Sequence, residues 1–136
     1  VHRRFNSDYL NVPLGWMLRS YDLNRSNDQV QAQISIGDAS QPVTLLSGRG
    51  DGAMSALVDA LNRRIGGEVK VVSFDEYSLG DNTEANAMAC VRVQVGDTVQ
   101  SAVATAADTT AAALQAILSA VGRVQEGSEQ LIAAER

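Results

Sequence analysis

The same order of elements occurs twice along the chain, and this internal repeat constrains the fold more than any other feature of the sequence. Residues 29–36 alternate apolar and polar side chains, which is typical of a half-buried strand, and the dipeptide Gly37-Asp38 follows. The alternation returns from Ala85 to Val95, and Gly96-Asp97 follows it. We therefore expect each strand to turn back into a second strand after its Gly-Asp pair.

An aspartate precedes each of the two helices that we expect next. Asp51 lies in the glycine-rich segment 47–52, which follows a returning strand over 43–45, and Asp108 follows a returning strand over 99–105. Aspartate is a favoured N-cap because its carboxylate accepts hydrogen bonds from free N–H groups of the first helical turn. Leucines recur six and ten positions beyond each aspartate, so the apolar stripes of the two helices align: Leu57, Leu61, Leu114 and Leu118.

Each unit also has a preceding candidate strand, at 15–24 in the first and 68–74 in the second. The chain therefore predicts an α+β fold of two βββα repeats. Such thin layers commonly pack on a symmetry mate, so we expect a homodimer. The predicted boundaries are a connector from an upstream domain at 1–14, a ligand-binding domain at 15–125 divided into units at 15–67 and 68–125, and a frayed helical tail at 126–136.

Composition disfavours several classes of function. A formal net charge of −5 argues against binding the phosphate backbone of nucleic acid, and no apolar run approaches the roughly 20 residues of a membrane span. Cys90 and His2 are the only residues of their types, which disfavours a disulfide, a thiolate or histidine metal site and a catalytic triad. We therefore expect a cytoplasmic binding module without a cofactor of its own. The missing initiator Met further predicts a fragment of a longer protein.

Two features are candidate ligand sites, and each has a structural alternative. The segment Ser47–Gly52 precedes a helix, whose first N–H groups attract anions such as a carboxylate, but the spacing alone favours a tight turn with an aspartate cap. Small side chains at Ala85, Ala87 and Ala89 leave room on one strand face for a small apolar ligand or for close packing by a helix. The acidic stretch 75–84 lacks calcium-loop spacing and is better explained as a solvated loop.

Beyond these patterns, the chain resembles the C-terminal regulatory domain of 2-isopropylmalate synthases. Residues 47–61 resemble the family segment G-x-G-N-G-P-x-x-A-x-x-x-A-L that opens its first regulatory helix. Residues 69–91 resemble V-x-V-x-D-Y followed by the small-residue strand A-x-A-A-x-x-V, and residues 114–123 resemble L-x-A-V-x-S-A-V-N-R. Apolar and aromatic residues between 5 and 13 are similar to the family's connector. The resemblance therefore covers nearly the whole chain.

This resemblance implies a function. The family's enzyme condenses acetyl-CoA with 2-oxoisovalerate in a metal-dependent TIM barrel, which this chain lacks, and its regulatory domain binds leucine near the dimer interface for feedback inhibition of leucine biosynthesis. The fragment itself is then not an enzyme, and a divalent metal belongs to the absent barrel. The family's leucine site corresponds here to Gly50, Asp51, Gly52, Met54, Ser55, Val71, Phe74, Ser78, Ala85, Ala87, Thr105 and Ala107.

The chain departs from the family pattern at several positions, two of them in this site. Asp51 replaces an asparagine, Phe74 stands where tyrosine is frequent, and Ala102 and Ala104 replace the glycines of G-x-G. The carboxylate of Asp51 is placed either to repel the ligand carboxylate or to pair with its ammonium group. Two alternatives to leucine sensing therefore stay open: a sensor of isoleucine, as in citramalate synthases, and a structural dimerisation module that has lost sensing.

Overall fold

A computed structural model of the chain describes residues 16–37, 43–65, 68–78 and 86–135, with side chains up to residue 125. The predicted connector at 1–14 and Ala85 lie outside these ranges. Six strands and two helices occur in the order β1 (Leu18–Ser26), β2 (Gln29–Ile36), β3 (Thr44–Gly50), α1 (Ala53–Ile65), β4 (Val69–Ser78), β5 (Ala87–Val95), β6 (Thr98–Ala106) and α2 (Thr109–Glu135). The predicted α+β fold of two βββα units is confirmed.

Each unit contains one antiparallel three-stranded sheet, in the order β1-β2-β3 or β4-β5-β6. Two of the hairpins close through two-residue turns, because Ser26 pairs with Gln29 and Val95 pairs with Thr98. The first turn residue has a left-handed backbone in both cases, with φ of 58° at Asn27 and 61° at Gly96. Asparagine and glycine are the residue types that tolerate this conformation best, which explains why the chain reverses there.

The first strand of each sheet carries an irregularity at the same place. The pairing register shifts between Leu18 and Ser20 in β1 and between Val71 and Ser73 in β4. An extra residue of this kind bends the strand and re-aims the side chains that follow it. Aligning the two shifts places Tyr21 and Phe74 at equivalent positions, so the repeat extends to a pair of aromatic residues.

The core lies between the inward face of each sheet and its helix, and the buried residues of both units form one cluster. The four aligned leucines are 0% exposed, as the apolar stripes predicted. Burial of a side chain of this size contributes about 1.5–3 kcal/mol to folding. The largest fully buried apolar side chains are Ile34, Leu57, Leu61, Val93, Leu114, Ile117, Leu118 and Val121.

The glycine-rich segment is not the loop that we predicted. β3 continues through it to Gly50, and a bend at Asp51-Gly52 precedes α1. Glycine is needed inside this strand because a Cβ at Gly50 would lie 2.6 Å from the Cβ of Ser55. The acidic stretch is likewise only partly as predicted, since its residues 75–78 belong to β4 and 79–85 lie outside the described residues.

The two helices begin differently. The N–H of Ala111 donates to Oδ1 of Asp108 at 2.7 Å, so the predicted aspartate cap of α2 is confirmed. In α1 the first backbone bond runs from Ala56 N to Gly52 O at 2.9 Å, which makes Gly52 the N-cap. The prediction that Asp51 caps this helix is therefore wrong by one residue, and α1 has a cap without a side chain.

Each helix also holds the first strand of the other unit through an amide side chain. Asn62 of α1 accepts a hydrogen bond from Val69 N at 2.6 Å, at the start of β4. Gln115 of α2 accepts one from Leu18 N at 2.7 Å, at the start of β1. Because these bonds cross between the units in both directions, the two repeats form one interlocked structure.

We expect Gly48→Ala to destabilise the fold, because a Cβ at this position would overlap the carbonyl oxygen of Ala56 and lie 2.7 Å from Ala60 N. The free energy of unfolding should fall by about 1–3 kcal/mol in urea denaturation, the range for overpacking a core. Ser47→Ala on the exposed face of the same strand is the control and should change stability by less than about 0.5 kcal/mol. Equal stability of both variants would show that α1 does not pack this closely on β3.

Candidate functional site

The beginnings of the two helices meet at a shared cleft. Its volume is about 360 Å³, which is within the range of small-molecule sites. The cleft lies between the first turn of α1, the middle of β4 and the first turns of α2, so both units contribute to it. The lining residues are Gly52, Ala53, Met54, Ser55, Phe74, Glu76, Thr109, Thr110 and Ala113.

The α1 side of the cleft presents unpaired backbone donors. Gly52 has no side chain to accept a hydrogen bond, and among the described residues nothing accepts from the N–H groups of Met54 and Ser55. Free N–H groups at a helix start, together with the positive end of the helix dipole, favour a negatively charged group. This part of the cleft is therefore suited to a carboxylate.

The opposite wall combines a negative charge with apolar surface. Phe74 and Glu76 are two residues apart on β4 and therefore face the same side of the sheet. Met54 and the buried Ala113 add apolar surface from the two helices. A cleft with carboxylate-binding donors, one carboxylate and an apolar wall matches an α-amino acid that has an apolar side chain.

Four of the predicted ligand residues line this cleft: Gly52, Met54, Ser55 and Phe74. Asp51 is exposed at the bend that precedes α1. Gly50 has a packing role against Ser55 and Ala56. The glycine segment therefore reaches the cleft with its last residue, Gly52, and α1 reaches it with its first turn, whereas the glycines of the strand do not line it.

The remaining predicted residues lie elsewhere. Val71 is half-buried against the core, and Ser78 is exposed opposite the buried Ala87 in the β4–β5 pairing. Ala87 and Ala89 are 2% and 0% exposed on β5, which α2 covers, so close packing by a helix accounts for this face. Thr105 and Ala107 are exposed near the end of β6, away from the residues that line the cleft. Ala85 lies outside the described residues.

Sequence reasoning missed five residues of the cleft. Ala53 directly follows the glycine segment. Glu76 is two positions beyond the predicted Phe74, so strand alternation could have indicated that Glu76 faces the same side. The other three come from the start of α2: Thr109, Thr110 and Ala113. The internal repeat could have indicated these three residues. They come shortly after Asp108 at the start of α2, just as the α1 residues of the cleft come shortly after Asp51.

A second recess of about 480 Å³ lies beside the start of β1, and Thr105 lines it. Near it, the hydroxyl of Tyr21 donates to the carboxylate of Asp108 at 3.2 Å. Burial, the charge of Asp108 and this hydrogen bond raise the pKa of Tyr21 above its ordinary value. Tyr21, the aromatic residue equivalent to Phe74, lines this recess and is held by the residue that caps α2.

Within the described residues, no group of three or more His, Cys, Asp or Glu side chains is placed to hold a metal ion, and no helix is long and apolar enough to cross a membrane. Cys90 is half-buried, and burial followed by the charge of Asp75 raises the pKa of its thiol. A raised pKa keeps the thiol protonated at neutral pH and lowers its reactivity.

The repeated βββα architecture, with one cleft between its helix starts, defines a two-unit domain suited to binding a small molecule. Residues 3–125 match the family described as LeuA allosteric (dimerisation) domain, and the chain belongs to this family. It is 92% identical over 133 residues to a 2-isopropylmalate synthase of Alcanivorax borkumensis, covering 98% of this chain and 24% of that protein. It is 32% identical over 112 residues to a 2-isopropylmalate synthase of Leifsonia xyli, covering 82% of this chain and 19% of that protein.

The chain thus spans about a quarter or less of the length of these relatives. The part of the Alcanivorax synthase that it matches is the C-terminal part. The resemblance inferred from residues 47–61, 69–91 and 114–123 is confirmed by both the family match and the relative.

We expect Asp108→Asn to lower the pKa of Tyr21, because it removes the charge that disfavours the tyrosinate while asparagine still caps α2. In the wild type, the raised pKa stabilises the fold below the unfolded-state pKa of about 10, and this contribution is lost as the pH rises through the folded value. Tyrosinate absorbance over an alkaline titration, with each tyrosine assigned by its Phe variant, measures the shift. Asp75→Asn is the control, and an unchanged Tyr21 titration in Asp108→Asn would contradict the assigned cause.

Proposed function

We propose that this domain senses a branched-chain amino acid, with leucine as the preferred ligand, and transmits feedback inhibition to the synthase that carries it. The observation that carries the proposal is the cleft between the helix starts, where unpaired donors face a carboxylate and an apolar wall. Membership of a family described as allosteric supports a regulatory rather than a purely structural role.

The proposed ligand lies with its carboxylate at the N–H groups of Met54 and Ser55, where the uncapped helix start favours a negative charge. Its ammonium group lies at Glu76, and its isopropyl group lies against Phe74 and Ala113. A charge-assisted hydrogen bond of this kind is about twice as strong as a neutral one. In this arrangement the exposed Asp51 stands beside the carboxylate end, where it adds repulsion and lowers the affinity relative to an asparagine.

For the longer protein that carries this domain, we base a proposed activity on the two relatives. Both are 2-isopropylmalate synthases, so we propose a cytoplasmic transferase that condenses acetyl-CoA with 2-oxoisovalerate, with its divalent metal in the catalytic part. Inhibition requires both a sensing site and a catalytic site, so the domain alone is proposed to bind without catalysing.

We also propose that the domain acts as a homodimer, in keeping with the family description. Apolar side chains on the strands support an interface with a second copy, since Leu45 is 58% exposed, Val72 53% and Val99 53%. An interface of a stable dimer is enriched in such groups at its centre.

We expect leucine to raise the melting temperature of the domain more than valine, isoleucine or methionine does. At 100 times its dissociation constant, a ligand that binds only the native state stabilises it by about 2.7 kcal/mol. Thr109→Trp places a large side chain at an exposed residue that lines the cleft and should remove the shift, whereas Thr105→Trp, at an exposed threonine that lines the second recess, should retain it. Differential scanning fluorimetry with each amino acid measures both.

The outcomes separate the alternatives. A larger shift with isoleucine would favour the citramalate-synthase type of sensing, and no shift with any branched-chain amino acid would favour a structural dimerisation module. Loss of the shift in Thr105→Trp but not in Thr109→Trp would move the site to the second recess, where the family resemblance placed Thr105.

We expect Glu76→Gln to weaken leucine binding about tenfold, equivalent to about 1.4 kcal/mol, because it removes the charge that faces the ammonium group. Asp75→Asn is the matched control, since the neighbouring carboxylate is on the opposite face of β4 and lies near Cys90. Isothermal titration calorimetry should give a wild-type dissociation constant for this control. Equal losses in the two variants would indicate a general effect of net charge and contradict the role of Glu76.

A further inference from the structure

One helix links the cleft to the first described residues of the chain. Thr109, Thr110 and Ala113 of α2 line the cleft, and Gln115 lies two residues further along the same helix. The carboxamide of Gln115 accepts a hydrogen bond from Leu18 N at 2.7 Å and donates to Trp16 O at 3.3 Å. We call residues Trp16–Leu18 the leading segment.

A second contact joins the leading segment to α2 two turns later. A Cβ at Gly122 would lie 2.6 Å from Cγ of Trp16, so the indole packs directly on the helix backbone. Ser119, which is 1% exposed, accepts a hydrogen bond from Gln115 Nε2 at 3.0 Å. The orientation of the carboxamide is thus fixed by α2 itself, and the leading segment follows the position of this helix.

The packing of α2 makes it move as a unit. Ala112, Leu114 and Ile117 are all 0% exposed in the core, so neither end of this region shifts without the other. Close-packed interiors transmit displacements because they contain few voids that absorb them. A ligand that moves or stiffens the first turn of α2 therefore changes the contact of Gln115 with the leading segment.

We propose that α2 transmits occupancy of the cleft to the leading segment and that Gln115 is the positioning residue that couples them. This inference rests on the proposed function. In the Alcanivorax relative the matched part is C-terminal, so the residues that precede the leading segment there join it to the rest of the synthase. The leading segment is the described part of the chain nearest to that connection.

The fold contains a matched control for this role. Asn62 of α1 bonds to the backbone of Val69 as Gln115 bonds to that of Leu18 and Trp16, with an amide side chain in both cases. The Asn62 contact lies between the two units, away from the leading segment. Removing it tests the loss of an equivalent amide bond without affecting the proposed coupling.

The first experiment compares Gln115→Leu with Asn62→Leu in the full synthase chain. We expect Gln115→Leu to leave the dissociation constant for leucine unchanged within a factor of about three while raising the leucine concentration for half inhibition by about fivefold or more. Asn62→Leu should leave the ratio of half-inhibitory concentration to dissociation constant at the wild-type value. A Gln115→Leu enzyme that binds and is inhibited like the wild type overturns the proposal, whereas a wild type that binds no leucine overturns the proposed function instead.

The second experiment needs no variant and so does not depend on the folding of Gln115→Leu. Hydrogen exchange of the Leu18 amide, whose N–H donates to Gln115, is measured in the wild-type chain with and without saturating leucine. We expect leucine to slow this exchange by about fivefold, while exchange at Val69, the equivalent amide bonded to Asn62, stays within a factor of about two. Leucine binding without any change at Leu18 overturns the proposal.

Discussion

Close approach between small residues sets the geometry of this domain. Gly48 and Gly50 of β3 lie against the backbone of α1, and the alanines at the inner face of β5 and β6 lie under α2. Larger side chains at these positions would hold the helices further from their sheets. Because the helices lie this close, their first turns come near enough to share one cleft with β4. The site therefore depends on packing that occurs several residues away from it.

The two units are alike in fold but differ at the helix starts. In the second unit, Asp108 caps α2 and also accepts the hydroxyl of Tyr21. At the start of α1, Gly52 supplies only a backbone cap, and the aromatic residue equivalent to Tyr21, Phe74 of β4, has no hydroxyl to donate. A carboxylate from the protein thus occupies one helix start, while the other is left with free donors. The repeat supplies two similar helix starts, and within the described residues only the start of α1 lacks a side-chain cap.

Much of the fold was predictable from local patterns, because alternation and helical spacing depend on nearest neighbours in the chain. The buried leucines of both helices and the order of the strands follow from those patterns alone. The length of β3 did not, because glycine is usually a turn signal and here its small size permits contact with α1. Asp51 and Gly52 illustrate the same limit, since one hydrogen bond decides which of two adjacent residues caps the helix.

The candidate site was less predictable than the fold. Met54 and Phe74 were found through resemblance, and they line the cleft, but Thr109 and Ala113 reach it only because the two units interlock. No local pattern encodes a contact between the starts of two helices that belong to different repeats. The alanines of β5 show the converse, because their small size allows two explanations in the sequence, and the structure places Ala87 and Ala89 buried in the core that α2 covers.

The packing of Trp16 on Gly122 has a consequence for how the molecule is observed. Trp16 is the only tryptophan of the chain, so its indole dominates the intrinsic fluorescence. The ring is half-buried against α2, and indole emission shifts in wavelength with the polarity of its surroundings. The domain therefore carries its own optical reporter in the leading segment, and the wavelength of that emission reports the packing of this segment on α2 without any added label.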